Sequence, residues 1–422
     1  MSILLSNATY IDYQTLEFIP CNIIIESYPY STIVFTEKQD NGADTKVDCS
    51  GKYVTRAFGC GHHHVYSALA TGMPAPKKIP SNFLEILQYV WWTLDKCLDK
   101  EMIEISALVT AIECARNGVT CVVDHHSSPF AIEGSLEIIA KAFDQVGISH
   151  LLCYEISDRD GEQAVKQSLD ETADFLSHRQ GLVGLHASFT VSDQTLRQAK
   201  ELTEKFDTGI HIHVAEDELD ERLCVEHQGK RVVERLNDHG LLKNNKTILS
   251  HCLYINHKER EIIGKSGAWI AQNTESNMNN KVGFFNSEGI KKNIMLGTDG
   301  MHSDMLKSAK TTFFAGQNFD KIDYAETYRR LRNVNFYFNE NGFSGDADNN
   351  LVVLDYNPYT EFNSGNFLGH FIFSIESKHV QHVISDGRLI VKDRKVITVD
   401  EDEIHKASRE LSKKLWNKMK EL

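Results

Sequence analysis

Two hydrophobic rhythms divide the chain. From about residue 57 to 344, short apolar, β-branched runs alternate with longer stretches whose apolar positions recur every three to four residues. The runs are VTRAFGCG, VTCVVDHH, SHLLCYEI, GLVGLHAS, GIHIHVAE, TILSHCL, AWIAQNT and NIMLGTDG. Between them, LEIIAKAFDQVG, VKQSLDETADFLSHR, TLRQAKELTEKF and GKRVVERLNDHG have the period of amphipathic helices. Eight strands separated mostly by helices predict parallel pairing and a (β/α)8 barrel. An open doubly wound sheet is the competitor, and the lack of a GxGxxG after the first strand weakens it.

Outside that region the period is closer to two. Residues 1–56 hold ILLSNATYI, CNIIIESY and STIVFTEK. Residues 345–422 hold NNLVVLDYN, HFIFSIES, HVQHVISDG and RLIVKDRKVITV before a charged helix, DEIHKASRELSKKLWNKMKEL. The expected fold class is therefore α/β. The expected domains are a barrel over 57–344 and a small β-sandwich built from 1–56 and 345–422, with the barrel inserted between them and the helix closing the chain.

The polar residues fall at the ends of the barrel strands. The first strand ends in His62-His63-His64, the second in Asp124-His125-His126, and the fourth carries His186. The fifth carries His211, His213 and Glu216, the sixth ends in His251 and the eighth in Asp299. In a barrel of this type the active site lies at that face and draws on several strands. Alternation along a strand puts His62 and His64 on the axis side and His63 outside, and puts His211 with His213 on one face. His62, His64, His213 and Asp299 would offer three nitrogens and one oxygen, with a position left for water. That donor set suits Zn²⁺, Fe²⁺ or Mn²⁺.

Charge and cysteines narrow the class. The formal net charge of −14 argues against nucleic acid or an anionic membrane as the main partner. No apolar window is long enough for a transmembrane helix, and MSILLSNATYIDYQTLEF has no basic region of a secretory signal. The nine cysteines form no CxxC pair, which fits a reducing cytoplasm and excludes a cytidine-type zinc deaminase.

The pieces GCGHHHVYS (59–67), HASFTVS (186–192), HIHVAED (211–217), SHCLYI (250–255), TESNMN (274–279) and LGTDGMHSD (297–304) resemble, in order, the motifs of the amidohydrolase superfamily. The resemblance is to its metal-dependent deaminase and chlorohydrolase branch. HHHVYSALATGMP, WWTLD and VVDHHSSP look most like the SsnA-type aminohydrolases. The resemblance implies one divalent ion, zinc by expectation and iron as the other option, held by His62, His64, His213 and Asp299. It implies Glu216 as proton shuttle, His251 beside the attacking water, His186 as a substrate contact, and Ser276-Asn277 near the seventh strand. The third and fourth strands hold no lysine to bridge two metals, in keeping with a single ion. Two departures stand out: Arg56-Ala57 replaces the usual Pro-Gly, and Thr274-Glu275 replaces Cys-Pro, placing Glu275 either near substrate or toward solvent.

The expected activity is hydrolytic deamination of an aminated N-heterocycle with release of ammonia. Hydrolysis of a C–Cl bond or a cyclic amide is the alternative on the same site, and a non-catalytic assembly module the alternative of another class. The expected partner is a small-molecule substrate, with the chain a homodimer. Tyr66, Trp91 and Trp92 in the long loop after the first strand are candidates to stack a flat ring. Either His125 or His126 faces the site, with His126 carried as the candidate and Asp124 placed to orient either ring.

Overall fold

The computed structural model describes residues 2–26, 32–37 and 42–422. Each of the eight apolar runs forms a strand: Phe58–His63, Val119–His126, Ser149–Tyr154, Val183–Ala187, Ile210–Val214, Ile248–His251, Trp269–Gln272 and Ile294–Leu296. They pair in parallel, the first three in one ladder and the remaining five in another. Single parallel bridges span both seams. Leu152–Gly181 and Ile156–Leu185 join the third strand to the fourth, and His63–Asp299 joins the first to the eighth. The strands are buried on both faces, as a sheet packed inside a layer of helices requires.

The helices begin where the sequence supplies caps. Ser192 accepts from Thr195 N at the start of Asp193–Lys205, and Asn256 with Glu259 forms a reciprocal capping box at His257–Lys265. Asp217 caps Glu218–Gln228, immediately after the fifth strand. No helix among the described residues is long and apolar enough to cross a membrane.

Strands from both chain ends share one nine-stranded sheet. Ser2–Ile11 pairs with Phe18–Glu26, and Tyr53–Arg56 pairs antiparallel with Leu351–Leu354, which ties the two ends together. The sheet has its own buried cluster, including Ile3, Leu5, Ile23, Ile25, Val353 and Ile384. The terminal helix Glu401–Glu421 lies against Lys100–Arg116 and reaches the loop after the first barrel strand, where Trp416 Nε1 donates to Leu69 O at 2.9 Å.

Arg56-Ala57, one of the departures in sequence, sits at the junction of sheet and barrel. Arg56 is buried and pairs with Asp346 at 3.1 Å and with Asp348. Arg332, also buried, donates to the carbonyls of Arg56 and Ala57 at 3.0 and 2.9 Å. Its guanidinium lies over the rings of Phe58, Tyr328 and Tyr13, which shelter the charge.

The seam between first and eighth strands depends on glycine. A Cβ on Gly297 would lie 2.4 Å from Asn273 Oδ1, 2.8 Å from His62 Cβ and 2.9 Å from His62 N. A side chain there would push apart the two strands that carry His62, His64 and Asp299. Gly297→Ala is expected to cost about 1–3 kcal/mol by overpacking and to lower the bound metal per chain. Thermal unfolding together with elemental analysis checks this; an unchanged midpoint with full metal would overturn it.

Candidate metal and active site

The strand-end residues converge. The ligand atoms of His62, His64 and His213 lie within 4.8 Å of one another, as do those of His62, His251 and Asp299. His64 Nε2 is 3.1 Å from Asp299 Oδ1, and His62 Nε2 is 3.8 Å from the same oxygen. His63 points out of the cluster, toward Ser303 Oγ at 3.1 Å.

Hydrogen bonds fix which nitrogen each ring aims inward. His64 Nδ1 donates to His125 O at 2.7 Å, and His213 Nδ1 donates to His186 O at 2.8 Å. Both Nε2 atoms of the neutral rings are then lone pairs, yet they face each other at 3.0 Å. His62 Nδ1 is engaged by His211 Nε2 at 2.9 Å, and its buried Nε2 has no hydrogen-bond partner. Lone pairs aimed at one point repel unless a positive charge sits between them. Burial disfavours charge on His64, but Asp299 lifts its pKa to about 9. Burial likewise opposes charge on Asp299, but His64 and its neighbours hold that carboxyl well below its usual range. Three inward imidazole nitrogens and an ionised carboxylate fit a divalent cation.

The backbone is bent to present these groups. Ala215, His251, Cys252 and Asp299 all have left-handed φ, between 47° and 74°. Such conformations are costly for non-glycine residues and cluster at functional sites. Local bonds hold them: Asp220 Oδ2 accepts from Ala215 N at 2.9 Å, and Asp299 N donates to His62 O at 3.1 Å. Ser276 Oγ donates to Asp299 Oδ2 at 2.6 Å, and Gly300 N donates to Oδ1 at 2.8 Å.

Glu216 lies at the edge of the cluster, its Oε2 3.5 Å from His251 Nε2. Burial, and then the Asp299 charge, raise its pKa well above the usual carboxyl range. Asn277 Nδ2 donates to His251 Nδ1 at 2.8 Å, so His251 Nε2 carries the hydrogen, and it has no acceptor among the described residues.

A cavity opens beside the cluster. His64, His213, Glu216 and Asp299 line it, with Tyr66, Trp91, Trp92, Phe83, Leu87 and Phe189 as apolar walls. His186 lines it too, with Nδ1 on Thr190 Oγ1 at 2.7 Å. Both tryptophans reach the cavity because a π-helical turn, Leu87–Trp91, precedes Trp92–Cys97 and shifts the helical phase.

Several sequence candidates sit elsewhere. His126 is not among the lining residues; its Nε2 meets Ser128 Oγ at 2.9 Å, while His125 is the ring that packs against His64 and His213. Asn277 reaches the site only through His251. Asp124 binds Val65 N at 2.7 Å and leaves the two histidine rings to other partners. Glu275 faces neither substrate nor open solvent: it pairs with His302 at 2.5 Å and Lys307 at 3.4 Å. The sequence scan passed over Glu155. It lines the cavity beyond the end of the third strand, and SHLLCYEI carries it at a strand end like the residues that were chosen.

The model of the amidohydrolase family matches residues 53–341. The 5'-deoxyadenosine deaminase of Methanopyrus kandleri is 29% identical over 353 residues, 77% of this chain and 78% of that protein. The 5-methylthioadenosine/S-adenosylhomocysteine deaminase of Thermococcus sibiricus is 28% identical over 414 residues, 93% and 94% of the two chains. In three dimensions the chain is similar to a zinc-bound adenosine deaminase from Xanthomonas campestris, with TM-score 0.83, 18% identity and 98% of each chain covered. It is also similar to the zinc-bound atrazine chlorohydrolase of Arthrobacter aurescens, with TM-score 0.80, 15% identity and 97% and 100% covered. The match over residues 53–341, which span the eight parallel strands, places this chain in the amidohydrolase family.

Proposed function

We propose that the chain is a hydrolytic deaminase of aminated N-heterocycles, with His62, His64, His213 and Asp299 holding one zinc ion. The observation that carries the reading is the pair of carboxyls on one cavity in opposed environments: burial pushes Glu216 well above the usual carboxyl range, while His64 and its neighbours hold Asp299 well below it. The deaminases among the relatives support the same class of reaction. The nine unpaired cysteines fit a cytoplasmic location, and a homodimer is the assembly expected from the family likeness.

A divalent ion held by these four ligands would supply a water that ionises near neutral pH. Asp299 is the base that receives its proton; the Ser276 and Gly300 donors fix the carboxylate for that role. Glu216 keeps its proton through burial and delivers it to the ring nitrogen beside the reacting carbon. His251, oriented by Asn277, donates to the attacking oxygen and holds it toward that carbon. Asp299 then passes its proton to the departing amine, which leaves as ammonia, while the hydroxyl proton on the carbon goes to Glu216 and leaves the carbonyl. Tyr66 and Trp92 hold the ring flat against the cavity wall, and His186 contacts its edge.

Metal-loaded protein is expected to release ammonia from at least one member of a panel of aminated purines, pyrimidines and triazines, and Asp299→Asn to release none. Release by both proteins, or by neither, would refute the reading. Glu216→Gln is expected to lower kcat by roughly 10²–10⁴ while keeping full metal content, read by steady-state kinetics beside elemental analysis. Near-normal turnover would remove Glu216 from its role. Chelation is expected to lower the thermal midpoint, because the cation binds only the folded site, and added zinc to restore it. A midpoint indifferent to chelation would count against the ligand set.

A further inference from the structure

Glu155 is a cavity carboxylate that the proposed chemistry leaves unused. Its backbone N–H donates to His126 O at 2.7 Å, which anchors it to the end of the second strand. Its side chain is only 4% exposed, yet it lines the cavity. Burial works against its charge, but His186, His125 and Arg159 hold its carboxyl well below the usual range.

A buried carboxylate ordinarily takes charged hydrogen bonds of about 2.7–2.9 Å. Glu155 lacks them among the described residues: the nearest groups that could pair with it are His125 Nδ1 at 3.4 Å and Arg159 Nη2 at 3.8 Å. Arg159 turns its Nε and Nη2 to other groups, and its buried Nη1 has no hydrogen-bond partner among the described residues. The guanidinium pairs closely with Asp95, donates to Asp160 at 3.0 Å and lies over the Trp92 ring at 5.2 Å. Much of the acceptor capacity of Glu155 is therefore left for whatever enters the cavity.

The rest of the lining has the same bias. It contains no lysine or arginine; its other carboxyls are Glu216, Asp217, Asp220 and Asp299. An anionic group brought beside Glu155, on the side away from the proposed cation, would lose its water and meet that carboxylate with no lysine or arginine in the lining to offset it. A Glu155 oxygen also lies within 4.8 Å of a His213 ring nitrogen, so it addresses the part of a bound ring nearest the reacting carbon.

We propose that Glu155 sets the specificity of this cavity. Its carboxylate accepts N–H donors from the ring edge that flanks the reacting carbon. The cavity accordingly takes neutral or cationic rings of amidine or guanidine type, and rejects those carrying a carboxylate or phosphate. The orientation rests on the deamination reading; the preference for donors over anions does not.

Calorimetric titration of zinc-loaded protein with three flat probes tests this: 2-aminobenzimidazole, benzimidazole without the amino donors, and 2-aminobenzimidazole-5-carboxylate. The expected result is at least tenfold tighter binding of the first than of either other probe. Glu155→Gln is expected to abolish the gap between the first two and to keep its zinc and thermal midpoint. The proposal falls if the wild type does not bind 2-aminobenzimidazole or binds the carboxylate probe as well. It falls also if the variant keeps the gap, or loses zinc, which would make Glu155 a ligand. Should the variant fail to fold, the wild-type ranking alone decides. Silence in the ammonia assay with this ranking intact would sink the deamination reading and leave the specificity of Glu155 standing.

Discussion

Three imidazoles and a carboxylate aimed at one buried point are stable together only with a positive charge among them, a bound cation or a proton on His64, whose pKa Asp299 lifts to about 9. The backbone carbonyls that bind Nδ1 of His64 and His213 leave those rings no choice of tautomer, so their Nε2 lone pairs face each other at 3.0 Å. The frame around them meets this demand. His62 and His64 arrive from the first strand, His213 from the fifth and Asp299 from just beyond the eighth. The first and eighth strands approach closely only because Gly297 has no side chain. Positive φ at Asp299 then turns its carboxylate onto the cluster. The strain, the glycine and the buried histidines are parts of one arrangement whose proposed balancing charge is a metal ion.

Much of this was legible in the sequence, because it depends on two periodicities. Alternation separated His62 and His64 from His63, and the run-and-helix rhythm placed Asp299 on the last barrel strand. The signal failed where the phase of a strand cannot be read. VTCVVDHH is apolar up to Asp124, as a strand buried on both faces must be, so nothing in it tells which of His125 and His126 points inward. Cys121 and Val123 pack in the cluster that also holds barrel-lining Leu151 and Ala271, and His125 continues their side of the strand. Trp91 and Trp92, both candidates from the loop after the first strand, both line the cavity, next to a π-helical turn.

Other features were out of reach because they are made by contacts between distant segments. Glu275 departs from the usual motif, but its partners His302 and Lys307 lie across the next loop and at the start of a helix, and pairing there removes it from the substrate side. Arg56 departs in the same way and is answered by Asp346 and Asp348, nearly 300 residues on. Both departures are thus compensated within the fold rather than spent on chemistry. Glu155 is the opposite case. The strand-end rule that marks the other residues applies to it equally, since SHLLCYEI also carries an ionisable residue at its end.

The cavity holds carboxyl groups with opposed environments, and that opposition organises its chemistry. Asp299 stands among imidazoles and two hydrogen-bond donors, so its charge is sustained despite burial. Glu216 is as deeply buried but its nearest hydrogen-bonding side chain is Asn280 at 3.5 Å, and it feels the Asp299 charge, so it keeps its proton. In the proposed reaction the first would take a proton and the second give one, within one pocket. Glu155 is a third case, ionised like Asp299 but set beside His213 on another side of the cavity, with arginine and histidine too distant to saturate it. A ring that satisfies all three must present a basic nitrogen to Glu216, an electrophilic carbon toward the metal ligands and N–H donors to Glu155. An amidine unit within an aromatic ring supplies all of these on adjacent atoms.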